Sequence, residues 1–165
     1  MKTKTTVLTI LTCLFASLIG CGLYTNQNKE IATVKKRIIN PWTWQDKFGF
    51  VQANEVTNGQ RMLFTAGIVS VDGDGNLLHG GDVEKQISKI IDNMELLLEQ
   101  ANFKLSDVVR FTYYTTDVQG FKNAAKHVLV ERLKKAGCKP ATSLIGVNSL
   151  FHPDCVVEIE ATVVD

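Results

Sequence analysis

The chain has 165 residues, enough for one domain with a substantial core and too few for two domains of ordinary size. Hydrophobic residues make up 45% and charged residues 21%, a composition that excludes a disordered or collagen-like protein. The formal net charge is +1. A chain so close to neutrality lacks the basic surface that binding to a phosphate backbone requires, so we expect no nucleic acid among its partners.

The first residues have the features of an export signal. Two lysines precede an apolar run from Val7 to Ile19, which is shorter than the roughly 20 residues of a membrane-spanning helix. The following Gly20-Cys21 completes a Leu-Ile-Gly-Cys ending that resembles the lipobox of bacterial lipoproteins, whose cysteine is acylated. The alternative is an ordinary signal peptide with an unmodified cysteine. We predict a lipoprotein signal peptide over residues 1–20 and lipid attachment at Cys21.

A lipid on Cys21 would anchor the protein to a membrane of the cell envelope, on the periplasmic side. Gly22 is not the acidic residue associated with inner-membrane retention in some bacteria, which favours the outer membrane. Residues 21–37 are polar and lack periodicity, so we interpret them as a tether. The folded domain is predicted to occupy residues 38–165.

The domain begins with two β-favouring runs, Phe48–Val56 and Arg61–Val71, which flank Asn58-Gly59 and therefore predict a hairpin. Apolar residues at helical spacing then predict a helix that Asp82 caps and that ends near Ala101.

A strand is predicted over Val108–Thr116, because this run is rich in β-branched and aromatic residues. A second helix follows from its cap at Asp117 to Gly137. Two final strands are predicted over Ser143–Val147 and Cys155–Val164.

The element order β-β-α-β-α-β-β predicts an α+β fold with a sheet and two helices packed on one of its faces. In the last strand Cys155, Val157 and Ile159 share one face, while Glu158 and Glu160 share the other. The apolar face is expected against the helices. The half-polar face needs another cover, which favours symmetric assembly with ligand clefts between subunits.

Several short motifs of this domain, taken in order, resemble the reactive intermediate deaminase (RidA, YjgF-like) family. Phe50-Val-Gln-Ala53 stands where the family has Tyr-x-Gln-Ala, and Thr65-Ala-Gly67 where it has Thr-Ser-Gly. The C-terminal signature corresponds to Pro140-Ala141-Thr142-Ser143 and Val157–Ala161. The resemblance implies a chorismate-mutase-like fold with a mixed β-sheet, a homotrimer and small-molecule clefts at its interfaces.

The family's best-known activity is hydrolysis of 2-imino or enamine acids to 2-keto acids and ammonia, with neither metal nor organic cofactor. The resemblance implies that an arginine clamps the substrate carboxylate, and that a glutamate and a tyrosine position water. Here Thr142 replaces the arginine, Phe50 the tyrosine and Leu144 a cysteine, while Gly67 and Glu158 are retained. A neutral hydroxyl cannot provide the two-pronged, charge-assisted contact of an arginine.

The resemblance makes Glu158 the candidate catalytic residue. Without the resemblance, the pattern around Glu158 would indicate a strand glutamate that faces solvent. Phe50, Gly67, Thr142 and Leu144 are the candidate ligand-binding residues. Arg110 lies in phase with Thr112 and Tyr114 on its strand, so it faces either the cleft or solvent. The three histidines share no ligand spacing, and no metal site is predicted.

Three functions remain open at this point. The first is a membrane-anchored trimer that binds a small metabolite with weak or altered hydrolytic activity. The second is an ordinary imine deaminase in which Arg110 restores the carboxylate clamp. The third is a structural envelope protein whose cleft is vestigial.

The two cysteines of the domain are predicted not to form a disulfide. If the two last strands form a hairpin with Thr142 opposite Glu158, Cys155 faces Ile145. Cys138 lies seven residues before Ile145, which is roughly 23 Å of extended strand at about 3.3 Å per residue. This distance is beyond the reach of a disulfide with Cys155.

Overall fold

The structure is a computed structural model that describes residues 33–165. The predicted signal peptide, Cys21 and most of the predicted tether lie outside the described residues. Within residues 33–165, no helix is long and apolar enough to cross a membrane.

Four strands form the main sheet, which is mixed as predicted. The strands are β3, Met62–Phe64; β4, Val108–Thr115; β5, Ala141–Gly146; and β6, Val157–Val164. Strand β6 pairs antiparallel with both β3 and β4, and β4 pairs parallel with β5, which gives the order β3-β6-β4-β5.

A second, two-stranded sheet is formed by β1, Lys35–Ile39, and β2, Ala53–Thr57. The hairpin predicted across Asn58-Gly59 is wrong, because β2 pairs with β1 whereas β3 pairs with β6. Just before β2, Val51 forms an isolated parallel bridge to Ala141 of β5. Strand β1 is also tied to the rest of the domain, since the ammonium of Lys36 donates to the carbonyl of Ser106.

The helices begin where the sequence predicts. Helix α1 spans Val83–Gln100, and the Asp82 carboxylate accepts from the Lys85 amide at 3.0 Å. The second predicted helix starts at its Asp117 cap but is divided into α2, Val118–His127, and α3, Leu129–Lys135. The division falls at the β-branched Val128, whose φ of −100° and ψ of −59° depart from regular helical values.

The core lies between the helices and one face of the main sheet. The odd-numbered residues of β6 from Val157 to Val163 are buried on this face, and the even-numbered residues from Glu158 to Thr162 are half-buried on the other. The predicted asymmetry of β6 is therefore confirmed. The largest fully buried core side chains include Ile87, Ile90, Ile91, Met94, Leu98, Phe111 and Ile159.

The predicted pairing of the last two strands is wrong. Helices α2 and α3 connect β4 to β5, and a helical crossover of this kind returns the chain parallel to the first strand. Strand β6 pairs on the other edge of β4, so β4 separates Thr142 from Glu158. Cys138 and Cys155 are buried and unbonded, and burial raises the pKa of the Cys138 thiol to about 12.

Candidate functional site

The predicted site residues fall into two groups on opposite faces of the main sheet. Glu158 pairs with Tyr114 on the face that the helices leave open. Thr142 pairs with Phe111, and Leu144 with Tyr113, on the face that packs against the helices. We call the first group the acidic half-site and the second the aromatic pocket.

The acidic half-site consists of Gly67, Glu158 and Glu160. A β-carbon added at Gly67 would lie only 1.7 Å from Oε1 of Glu158. The carboxylate therefore occupies the space that a side chain at position 67 would fill. Gly67 is required there for close approach.

Two carboxylates share this half-site, and their electrostatics differ from those of an isolated surface glutamate. Partial burial and, to a smaller extent, the charge of Glu160 raise the pKa of Glu158 above its usual range. The Tyr114 hydroxyl donates to Glu160 at 3.0 Å, and this hydrogen bond raises the pKa of Tyr114. Glu158 is thus disposed to hold a proton at higher pH than a free glutamate does.

Arg110 is exposed on the same open face, where its guanidinium donates to the Ser143 hydroxyl at 3.0 Å. It lies four residues before Tyr114, the partner of Glu158, on β4. At about 3.3 Å per residue, roughly 13 Å of strand separates Arg110 from the level of Glu158. Its guanidinium is bonded to β5, which lies on the other side of β4 from the strand that carries Glu158.

The aromatic pocket has a volume of about 490 Å³ and lies between the segment that precedes β2, the helices α2 and α3, and strand β5. Its wall contains the ring of Phe50. The centroid of this ring lies 5.9 Å from the ring centroid of Trp44 and 6.4 Å from that of Phe48. Three of the predicted ligand-binding residues, Phe50, Thr142 and Leu144, line this pocket together.

Sequence reasoning did not find the other residues of the aromatic pocket. Tyr113 is 6% exposed and lines the pocket, and within residues 33–165 its hydroxyl forms no hydrogen bond. Helix α2 adds Lys122 and Lys126, which lie one helical turn apart. Their four-residue spacing was visible in the sequence, but only the fold shows that this side of α2 borders a cavity.

A metal-binding cluster is absent from the part of the chain that the structure describes. Over residues 33–165, there is no cluster of three or more histidine, cysteine, aspartate or glutamate side chains that could hold a metal ion.

The fold and the arrangement of the motifs point to one protein family, and sequence comparison agrees. A family model described as endoribonuclease L-PSP matches residues 48–165. The chain therefore belongs to the RidA/YjgF family, which includes the RutC family proteins.

Individual relatives cover nearly the whole domain. A RutC family protein from Aquifex aeolicus is 33% identical over 136 residues, which make up 81% of this chain and 98% of that relative. The Rid family protein YyfB from Yersinia pestis has a solved structure with a TM-score of 0.71 at 32% identity, over 79% of this chain and 98% of its own. The Escherichia coli YjgF structure matches with a TM-score of 0.57 at 26% identity, over 70% and 87% of the two chains.

Proposed function

We propose that this protein is a membrane-anchored trimer that binds a small metabolite in clefts between its subunits. Each cleft would combine the acidic half-site of one subunit with the aromatic pocket of the next. The observation that carries the proposal is the separation of the two groups: Glu158 and Thr142 lie on opposite faces of one sheet, so one protomer cannot bring them to a common ligand. A second copy of the chain can supply the missing half.

The open face supports assembly, because it exposes apolar side chains next to polar ones. Phe64 is 70% exposed and Ile145 is 40% exposed, and their strand partners Thr162 and Tyr114 belong to this face. An apolar patch with a polar surround is typical of a protein interface.

The proposed cleft contains only part of the machinery that imine hydrolysis uses. Glu158 can exchange a proton with water or substrate, as its raised pKa favours. Thr142 offers no positive charge to a substrate carboxylate, and Phe50 has no hydroxyl to orient water. Losing an oriented charged contact of about 3 kcal/mol lowers kcat/KM by about two orders of magnitude. We therefore propose that 2-imino acid deamination is weak in this protein.

Enzyme kinetics on freshly generated 2-iminobutyrate tests the chemical part of the proposal. The double variant Thr142→Arg/Phe50→Tyr is expected to hydrolyse the imine up to about 100-fold faster than the wild type. Thr57→Arg is the matched control, since it adds the same charge at an exposed residue of β2, outside both the aromatic pocket and the acidic half-site, and it should leave the rate unchanged.

A fast wild-type enzyme would contradict the proposal of weak activity. If that rate then fell on Arg110→Gln, the ordinary deaminase with Arg110 as its clamp would be the correct function. If neither the wild type nor the double variant had activity or bound a ligand, the structural alternative would be favoured.

The oligomeric state is tested by sedimentation of a form that begins at Ala32, the start of the unit that contains all the described elements. The expected mass is three times that of the protomer at micromolar concentration. A monomer would leave each acidic half-site without an aromatic pocket beside it, and would overturn the shared cleft.

The membrane anchor is proposed from the lipobox resemblance at Cys21. Cys21→Ser should abolish acylation and release the protein from membranes, whereas Cys13→Ser, within the predicted signal peptide, should have no effect on the mature protein. An N-terminal peptide without acyl mass in the wild type would contradict the anchor.

RNA cleavage appears in the name of the matching family model, but we do not propose it for this chain. Without Lys2 and Lys4 of the predicted signal peptide, the chain has 16 basic and 17 acidic residues. A net charge of −1 gives little attraction for a phosphate backbone.

A further inference from the structure

The walls of the aromatic pocket are mostly apolar and come from three parts of the fold. Its volume of about 490 Å³ is within the usual range for small-molecule sites. Most of the lining residues are apolar or aromatic, among them Trp44, Phe48, Phe50, Phe121, Leu129 and Leu144. Such walls favour a ligand with an aromatic or branched aliphatic body.

One side of the pocket is polar, and a single helix provides it. Gln119, Lys122, Asn123 and Lys126 of α2 all line the pocket and follow one another along one side of the helix. The Gln119 side-chain amide donates to Asn123 at 3.1 Å, so these two residues satisfy each other in part. The two lysines are then the main groups left to bind a ligand.

The charge of this side is not neutralised within the described residues. The lining residues that the structure describes include two lysines and no aspartate or glutamate. Lys36, Arg37 and Lys85 elsewhere in the domain each contact a carboxylate. Over residues 33–165, neither Lys122 nor Lys126 forms such an ion pair. An apolar cavity with an uncompensated positive edge favours an anionic ligand over a cationic one.

Resting on the proposed function of this cleft, we propose that the aromatic pocket binds an amphipathic monoanion. Its apolar body lies between the Trp44 and Phe50 rings and Leu129, and its carboxylate or sulfonate is held by Lys122 and Lys126. The anionic group thus binds at helix α2 instead of at position 142. This assigns the pocket a ligand that is larger and more apolar than a short-chain 2-imino acid.

Paired probes that differ only in charge test this inference. We would titrate 4-phenylbutyrate and the neutral 4-phenylbutyramide into the full-length protein reconstituted in nanodiscs by calorimetry, with empty nanodiscs as the blank. The anion is expected to bind about fivefold more tightly than the amide. Higher ionic strength should reduce this preference, because the lysines are exposed to solvent.

Variants locate the two ends of the probe. Lys122→Gln/Lys126→Gln should weaken 4-phenylbutyrate binding about fivefold and leave the amide unchanged. Lys104→Gln/Lys135→Gln removes the same charge from exposed residues that do not line this pocket, and it should change neither probe. Trp44→Ala should weaken both probes, because it removes part of the apolar wall.

The outcomes separate this inference from the function on which it rests. Two results would overturn the proposal that the lysines hold an anionic group: equal binding of the two probes, or an anion preference that survives Lys122→Gln/Lys126→Gln. This holds even if Trp44→Ala weakens the binding of both probes. In that case ligand binding in the cleft stands. Failure of both probes to bind overturns the inference, whereas the shared cleft is judged separately by the trimer mass and by imine hydrolysis in Thr142→Arg/Phe50→Tyr.

Discussion

The two faces of the main sheet differ in chemistry although they share the same strands. On the helix side of β6, Val157, Ile159 and Val163 are fully buried. On the open side, Glu158, Glu160 and Thr162 remain half-buried. Among residues 33–165, the helices cover the closed face, whereas nothing covers the polar and apolar groups of the open face.

This difference explains why the predicted site is divided. A residue's face is fixed by strand alternation, so neighbours in sequence such as Thr142 and Ser143 belong to different surroundings. Ser143 contacts Arg110 on the open face, while Thr142 lines the aromatic pocket. Under the proposed shared cleft, stability is therefore expected to depend on the closed face and chemistry on how the two faces meet between subunits.

The largest expected effect compares the two faces of β6 by stability. Ile159→Ala should lower the free energy of unfolding by about 3 kcal/mol, because it leaves a cavity in a core where Ile159 is fully buried. Thr162→Ala on the open face should cost less than about 1 kcal/mol. Urea denaturation at one protein concentration measures both, and similar losses would contradict the division of roles.

A second comparison concerns the position of the Glu158 carboxylate. Gly67→Ala should displace Glu158, since the new β-carbon would overlap its Oε1 atom. In the Thr142→Arg/Phe50→Tyr background, imine hydrolysis should fall about tenfold, as for Glu158→Gln, while stability changes by less than about 1 kcal/mol. Gly73→Ala is the matched control, because a β-carbon there meets nothing within 4 Å. Full activity in Gly67→Ala would show that the position of Glu158 is not critical.

The smallest expected effect is a pH dependence of stability. The raised pKa of Glu158 means that the folded state binds its proton more tightly than the unfolded state. The wild type should therefore be most stable relative to Glu158→Gln below the unfolded pKa of about 4.3, and should lose that advantage as pH rises through the folded pKa. The change should stay below about 1 kcal/mol, because solvent screens a half-buried group.

Denaturation midpoints between pH 4 and pH 8 measure this pH effect. Glu160→Gln removes the second cause of the raised pKa, so it should lower the pKa of Glu158 and reduce the change. A wild-type advantage that grows with pH would mean that the pKa of Glu158 is lowered in the folded state.

The sequence predicted those features that depend on local periodicity. The caps at Asp82 and Asp117 and the alternation of β6 were correct because each pattern is read over a few neighbouring residues. The strand at Lys35–Ile39 was not predicted, since all five of its residues are exposed and its pattern resembles a polar linker.

Strand partners could not be predicted, because pairing depends on contacts between distant segments. Asn58-Gly59 has the composition of a hairpin turn, yet β2 and β3 belong to different sheets. The error that placed Thr142 opposite Glu158 has the same origin. The family resemblance correctly identified the fold, but the face of the sheet on which each residue lies could be assigned only from the order and register of the strands.

The two outer strands of the main sheet have a consequence for the life of a newly made chain. Both β3 and β5 carry exposed apolar residues, with Met62 60% exposed and Leu144 37% exposed. An outer strand with free backbone groups and apolar side chains can pair with any similar strand, which is the usual route to aggregation. In the proposed trimer, subunits that fail to find their partners are therefore expected to precipitate or be degraded.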